Sequence, residues 1–516
     1  MSPASHGPST NVSGTGPTAY RALVPDRVDD PDTASEGGVR MSSAVGRWVL
    51  LATVLGSGIA MLDGTVVNLA LIRMGEDLDV SFAGLQWVVN GYTLSLAALI
   101  LVGGALGDRF GRRRLFMAGT AWFTVASVLC AIAPNVQFLI AARVLQGIGG
   151  ALLTPGSLAI IQASFDPRDR ARAIGAWSGL GGVATGIGPF VGGWLVDVAT
   201  WRSVFLINVP LGAAVMVIAL RHVPETKGDS TEGAPLDVPG ALVGAIALAA
   251  TSYGLTEQQW AIVAVGLAAA VAFVVIEMRS RAPMLPMRVF RSMQFSGTNS
   301  VTFLLYGALA VSMFLLGLVL QGSLGYSPLL AGAATTPITV FMLAFSAQSG
   351  ALAQRIGPRL PMTAGPVVCA VGLALLTRVT PGASYVSGVL PGILVFGAGV
   401  TLTVAPLTTT ALGAVDSHLA GIASGVNNAV ARTGSLVAIA AVPLLAGFLP
   451  GADIVGAELV DGFHRVLWIS AAVTLGSGAV AWATVRNPSQ PAPAARVTQF
   501  HCSTVGPPVS AHASVD

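Results

Sequence analysis

Apolar stretches, each broken off by a short polar or basic loop, recur along almost the whole chain. They fall near residues 48–72, 85–107, 115–133, 136–163, 171–195 and 203–220, then 238–255 and 259–277. Six more follow near 295–319, 329–353, 361–377, 384–407, 420–448 and 466–485. A helix rises ~1.5 Å per residue, so about twenty apolar residues cross a hydrocarbon layer ~30 Å thick. The pattern predicts an all-α polytopic membrane protein with about fourteen transmembrane spans. The polar interruptions divide it into a six-span half over 47–221, two inserted spans with their connectors over 222–294, and a second six-span half over 295–485. Residues 1–46 and 486–516, polar or Pro/Ala-rich and without an apolar run, are expected to be disordered cytoplasmic tails.

Composition agrees with a lipid environment. The 516 residues are 53% hydrophobic and only 10% charged, against about 25% charged in an ordinary soluble domain. The distribution of charge fixes an orientation. With the N-terminus inside, the short inner loops hold fifteen Lys and Arg and the outer loops four, namely Arg73, Arg202, Arg378 and Arg465. Short cytoplasmic loops are enriched in basic residues, so both termini are expected in the cytoplasm of a cell-membrane protein. No basic cluster interleaved with aromatics points to nucleic acid. Three cysteines at no metal-ligand spacing and no Gly-x-x-x-x-Gly-Lys-Ser/Thr stretch leave no metal, cofactor or ATP to expect, and no enzyme.

The most specific stretch joins the second and third spans: Gly104-Ala105-Leu106-Gly107-Asp108-Arg109-Phe110-Gly111-Arg112-Arg113-Arg114. Gly104 and Gly107 allow close helix approach, Gly111 a tight turn, and Asp108 can pair with the arginines or with a helix N-terminus. A related stretch, Gly350-Ala351-Leu352-Ala353-Gln354-Arg355-Ile356-Gly357-Pro358-Arg359, returns 246 residues later with Gln354 in place of the acid. The loop resembles the signature of the major facilitator superfamily, and its repetition fits two parallel six-helix halves. The two inserted central spans resemble the fourteen-span drug:proton antiporter family of bacteria. The preference for Arg over Lys and the abundance of Ala and Gly agree with a high-GC, actinobacterial source.

Three spans carry candidate chemistry. In Leu62-Asp63-Gly64-Thr65-Val66-Val67-Asn68-Leu69-Ala70-Leu71, Asp63 is an acid deep in an apolar run, a costly placement that marks a cavity, a partner or a proton path. The stretch is similar to the first-span signature of the same family, with Ile72 where a proline is usual. In the fourth span Arg143, Gln146, Gly150 and Thr154 share one face. Arg143 is the natural electrostatic partner of Asp63, and the resemblance implies a role for it in proton coupling. In the fifth span Gly188-Pro189-Phe190-Val191-Gly192-Gly193 resembles the core of the antiporter signature, with Ala184 replacing an expected glycine. Trp201 to Pro210 resembles the family's approach to span six, with Ser203 replacing an aromatic.

Polar residues are candidates for lining a central cavity or for bonds between helices: Gln86 and Asn90 in span two, Gln146 in span four, Asn299 and Tyr306 in span nine, Asn428 and Arg432 in span thirteen. The resemblance implies a functional monomer that exports an amphipathic drug or antibiotic, or an endogenous metabolite, in exchange for protons by alternating access. An uptake symporter is opposed by the Gly188-Pro189 region, and a non-transporting scaffold by Asp63 and Arg143, which a scaffold has no need of.

Overall fold

The computed structural model describes residues 38–227, 237–280, 283–415, 420–448 and 456–487. Among them, thirteen helices are long and apolar enough to cross a membrane. Helices α1 (Ala44–Leu78), α2 (Phe82–Phe110), α3 (Arg112–Ala131), α4 (Val136–Ser164) and α5 (Pro167–Val198) are followed by a sixth crossing split into α6 (Ser203–Leu206) and α7 (Asn208–His222). The inserted hairpin is α8 (Val238–Thr256) and α9 (Trp260–Arg279). The second half comprises α10 (Met293–Gly322), α11 (Pro328–Ile356), α12 (Arg359–Leu376), α13 (Leu390–Gly413), α14 (Ala420–Ala440), α15 (Val442–Ala446) and α16 (Gly456–Thr484). The remaining expected span, the thirteenth in chain order, is α14, which has a crossing helix's length but carries Asn427, Asn428 and Arg432, and it packs between α10 and α2. Across the described residues the protein is an all-α polytopic membrane protein, and its helices agree with fourteen spans.

Most helices outrun their apolar runs, because hydropathy marks hydrocarbon depth while helices continue into their polar ends. The last run, expected from 466, begins at Gly456, since Glu458, Asp461, His464 and Arg465 occupy its first turns. Two crossings break at prolines. The sixth bends at Ile207 ahead of Pro210, and the thirteenth at Ala441 ahead of Pro443, because the residue before a proline and the missing N–H disfavour a continuous helix. The first expected tail also ends earlier than residue 46. Val39 bridges Phe165, the Met41 amide donates to Asp169 Oδ2 at 2.9 Å, and the Ser43 hydroxyl caps α1 by accepting from the Gly46 amide. The rest of that tail, and the C-terminal one beyond Asn487, lie outside the described residues.

Both repeated loops end in a glycine with positive φ, Gly111 at 109° and Gly357 at 86°, where a side chain would be strained. In each half, the strand of chain leaving the last helix returns to close that loop. Glu225 accepts from the Arg113 and Arg114 amides at 3.1 and 3.2 Å, and Asn487 Oδ1 accepts from the Arg359 amide at 3.1 Å. A carboxylate or amide oxygen at these positions satisfies free N–H groups in the first turns of α3 and α12. Both described chain ends therefore lie at the end of the bundle that holds the arginine loops, called here the basic end.

The halves meet along α5–α11 and α2–α14, with α8 lying against both α2 and α14. Consecutive residues in the hairpin turn tie to opposite halves. Trp87 Nε1 donates to Glu257 Oε1 at 3.2 Å, and Gln258 Nε2 donates to the Phe448 carbonyl at 2.9 Å. Away from the basic end, α5 and α11 touch backbone to backbone: a Cβ on Gly193 would strike Pro328 and Leu329, and one on Gly332 would strike Pro189. On the same face of α5, one on Gly175, Gly179 or Gly182 would meet nothing within 4 Å, nor would one on Gly350 of α11. The two helices diverge, and the space between the halves opens toward the basic end. Gly193→Leu should therefore lower the thermal stability of the purified protein by about 1–3 kcal/mol through overpacking, while Gly179→Leu changes it little. Equal losses at both positions would contradict the divergence.

Candidate functional site

A charged pair lies at the centre of the first half. Arg143 Nη1 donates to Asp63 Oδ2 at 2.5 Å, and both side chains are 2% exposed or less. Four further helices complete the shell. Gln146, one turn beyond Arg143 on α4, accepts from Arg143 Nη1 at 2.6 Å and donates to Asp63 Oδ1 at 2.8 Å and to Ser127 Oγ of α3 at 2.9 Å. Asn208, at the start of α7, donates to the same Asp63 oxygen and to Ser127 Oγ, at 3.2 Å each. Arg143 Nε reaches the Val88 carbonyl of α2 at 3.0 Å, and its guanidinium stands over the Tyr92 ring at 4.5 Å and the Phe205 ring at 5.8 Å. Both Asp63 oxygens are thus engaged by protein donors. In a medium without water this matters, because an unpaired carboxylate or guanidinium there costs several kcal/mol.

Local sequence explains the convergence. Asp63 sits on α1 two turns beyond Gly56 and next to Gly64: Phe116 fills the space beside Gly56, and Gly64 leaves the backbone open. Gly147 and Gly149 let α4 press on Tyr92 and Phe123, which brings Arg143 and Gln146 level with Asp63. The break before Asn208 turns its amide inward, so the split in the sixth crossing positions a donor.

The expected residues divide into distinct groups. Asp63, Arg143 and Gln146 come together. Ser127 and Asn208 join them unforeseen; Asn208 was visible only as a polar residue inside an apolar stretch, and Ser127 gave no signal. Cys130 also joins the cluster, donating its thiol to Gln146 Oε1 at 3.7 Å. In the loop, Asp108 accepts from Arg112 Nε at 2.8 Å, Arg112 Nη1 also reaches the Ala159 carbonyl at 3.5 Å, and Arg113 donates to the Val223 carbonyl at 3.0 Å. Arg109 is exposed at the end of α2, beside the Phe110 ring, and Gly104 faces Pro155. Gly188 and Gly192 take Thr65 and Val66 of α1, while Pro189 and Gly193 take α11, so this span joins the cluster helix to the other half.

Among the cavity candidates, Gln86 is buried and donates across the halves to the Ile439 carbonyl at 2.6 Å. Asn90 is fully buried without a protein partner. Asn299 is used between helices, accepting from Asn427 at 3.2 Å. Tyr306 and Arg432 are half-buried and Asn428 is exposed, its amide donating to the Ser424 carbonyl. A second buried acid, Glu277, lies within α9, where the sequence placed it at the edge of a run. It caps the following connector by accepting from the Leu285 amide at 3.0 Å.

Comparison with known proteins agrees with the fold. The sequence profile of the Major Facilitator Superfamily matches residues 53–439. The chain is 38% identical over 419 residues to the methylenomycin A resistance protein of Bacillus subtilis (strain 168), covering 79% of this chain and 89% of that protein. It is 35% identical over 404 residues to the multidrug resistance protein Stp of Mycobacterium tuberculosis (strain CDC 1551 / Oshkosh), covering 76% and 74%. Among solved structures, that of a D-xylose–proton symporter superimposes with a TM-score of 0.60 at 15% identity over 86% of this chain and 98% of its own, a likeness of fold.

Removing one member of the central pair strands the other. Arg143→Gln should destabilise the purified protein by about 3–5 kcal/mol, and adding Asp63→Asn should recover most of that loss. Additive losses in the double variant, measured by thermal or denaturant unfolding, would contradict the pairing.

Proposed function

Because the chain belongs to the major facilitator superfamily and has antibiotic and multidrug resistance proteins as relatives, we propose that it exports amphipathic drugs or antibiotics across the cell membrane in exchange for protons. It is a transporter of small molecules. In our reading it works as a monomer with both termini in the cytoplasm, so the basic end faces inward and the space between the halves opens to the cell interior. The other state would part α5 from α11 at the opposite end and close them at the basic end. The Asp108–Arg112 loop then sets the balance between the two states.

The observation that carries proton coupling is the buried Asp63–Arg143 pair, which draws on four helices besides its own α1 and α4, namely α2, α3, α6 and α7, more than a mere brace needs. Protonation of Asp63 removes the charge that Arg143, Gln146 and Asn208 converge on. That would loosen their hold on α1, and α1 packs through Thr65 and Val66 against the span that closes on α11. A proton moving through 100 mV supplies about 2.3 kcal/mol, enough for a roughly fiftyfold concentration ratio.

The test is drug efflux into inverted vesicles under an imposed pH gradient. Asp63→Asn keeps the shape and removes the titrating group, so gradient-driven pumping should fall to background while Asp63→Glu retains part of it. Pumping by Asp63→Asn at the wild-type rate would make the pair structural and end the coupling proposal.

A further inference from the structure

The second half holds a charge at membrane depth that the first half's chemistry does not use. Arg432 lies twelve residues into α14, and neither a hydrogen bond nor an ion pair joins it to any described residue. Its level is fixed by the seam between α2 and α14. Gln86 meets Ile439 at one point, and Gly425 faces Leu101 at another, which sets Arg432 opposite the middle of α2 beside Tyr92. One turn beyond Arg432, the Ser435 hydroxyl donates to the Tyr306 carbonyl of α10 at 3.3 Å, so this stretch of α14 lies between α2 of one half and α10 of the other. Tyr92 in turn donates to the Ala60 carbonyl on α1, near Asp63, and Arg432 is therefore level with the central pair.

The surroundings lack a counter-charge. Asp63 is sealed and has no oxygen left to offer. The Tyr306 hydroxyl, like Arg432, has no protein acceptor among the described residues. Open space is present at this level, for Gly64 lies between the contacts of α1 with α5 and with α10 and has nothing within 4 Å. An arginine stays charged at membrane depth, where an unpaired charge is costly unless water or a ligand meets it. Arg143 shows how the same residue type looks when the protein supplies the partners; Arg432 has none of them.

We propose that Arg432 binds the acid group of the transported molecule, so that the cargo is an amphipathic carboxylate. This rests on the export reading above and deepens it by naming a substrate class. The planar guanidinium matches a carboxylate with two parallel hydrogen bonds, and the association is strengthened by the low dielectric around it. A cationic drug would meet a positive group at mid-membrane and no free acid.

The test uses the purified full-length protein and three probes of equal hydrophobic body: 2-naphthylacetate, 2-naphthylacetamide and 2-naphthylethylamine. Equilibrium binding is measured by calorimetry without a proton gradient, so a failure of coupling at Asp63 leaves this result untouched. Wild-type protein should bind the acetate at least roughly tenfold more tightly than the acetamide, and the amine most weakly. Arg432→Gln should bring the acetate down to the acetamide, whose own affinity stays within about twofold and reports an intact site, while Arg432→Lys keeps part of the preference. A wild-type protein that binds the acetate no better than the acetamide, including one that binds neither, overturns the proposal. So does an Arg432→Gln protein that retains the preference.

Discussion

Burying Asp63 against Arg143 is the constraint on which the first half depends. Each charge alone would be expelled from a low-dielectric interior, and together they are tolerable only if the remaining oxygens and N–H groups are also met. That requirement fixes how the helices approach. α4 must bring Gln146 beside Arg143, α3 must present Ser127, and the sixth crossing must break so that Asn208 points inward. The glycines of α4 and the split between α6 and α7 are local means to this one end. Arg432 is the counterexample in the second half: the same residue type, at the same depth, without a hydrogen-bond or ion-pair partner among the described residues.

The two halves repeat a plan without repeating the chemistry. Each has a positive-φ glycine at the basic end and a polar side chain returning from the last helix to cap the next one, Glu225 in the first half and Asn487 in the second. The caps differ in charge, as the loops do: three consecutive arginines begin α3, whereas α12 begins with Arg359 alone. Contact between the halves is closest where glycine meets backbone, at Gly193 and Gly332, and it is lost along the same faces toward the basic end. Small residues along α5 allow one helix to be close-packed at one end and parted at the other, which is the geometry that a rocking motion requires.

Much of this was legible in the sequence because a bilayer simplifies the code. Backbone groups must be satisfied within each segment, so apolar runs of sufficient length become helices, and a charge inside one is conspicuous. Asp63 and Arg143 could be paired on that ground, and Gln146 followed from its spacing. Ser127 could not, because a hydroxyl in an apolar helix usually bonds its own backbone, and Ser127 does that too, donating to the Phe123 carbonyl at 2.8 Å. The polar outer turns of α16 hid its first ten residues for the opposite reason, since charge outside the hydrocarbon does not disfavour a helix. Asn299 and Arg432 read alike as possible cavity residues. Only packing separates them, because Asn427 happens to face Asn299, while no described residue makes a hydrogen bond or ion pair with Arg432.

The central claim is that Asp63 itself gains and loses the transported proton. Infrared difference spectroscopy of the purified protein, stepped from neutral to acidic buffer, reads this directly through the C=O stretch of a protonated buried carboxyl group. The wild-type spectrum should gain such a band over the pH range in which the protein pumps, and the Asp63→Asn spectrum should lack it. A band of equal strength in both proteins, or none in wild-type protein that pumps, would place the proton elsewhere.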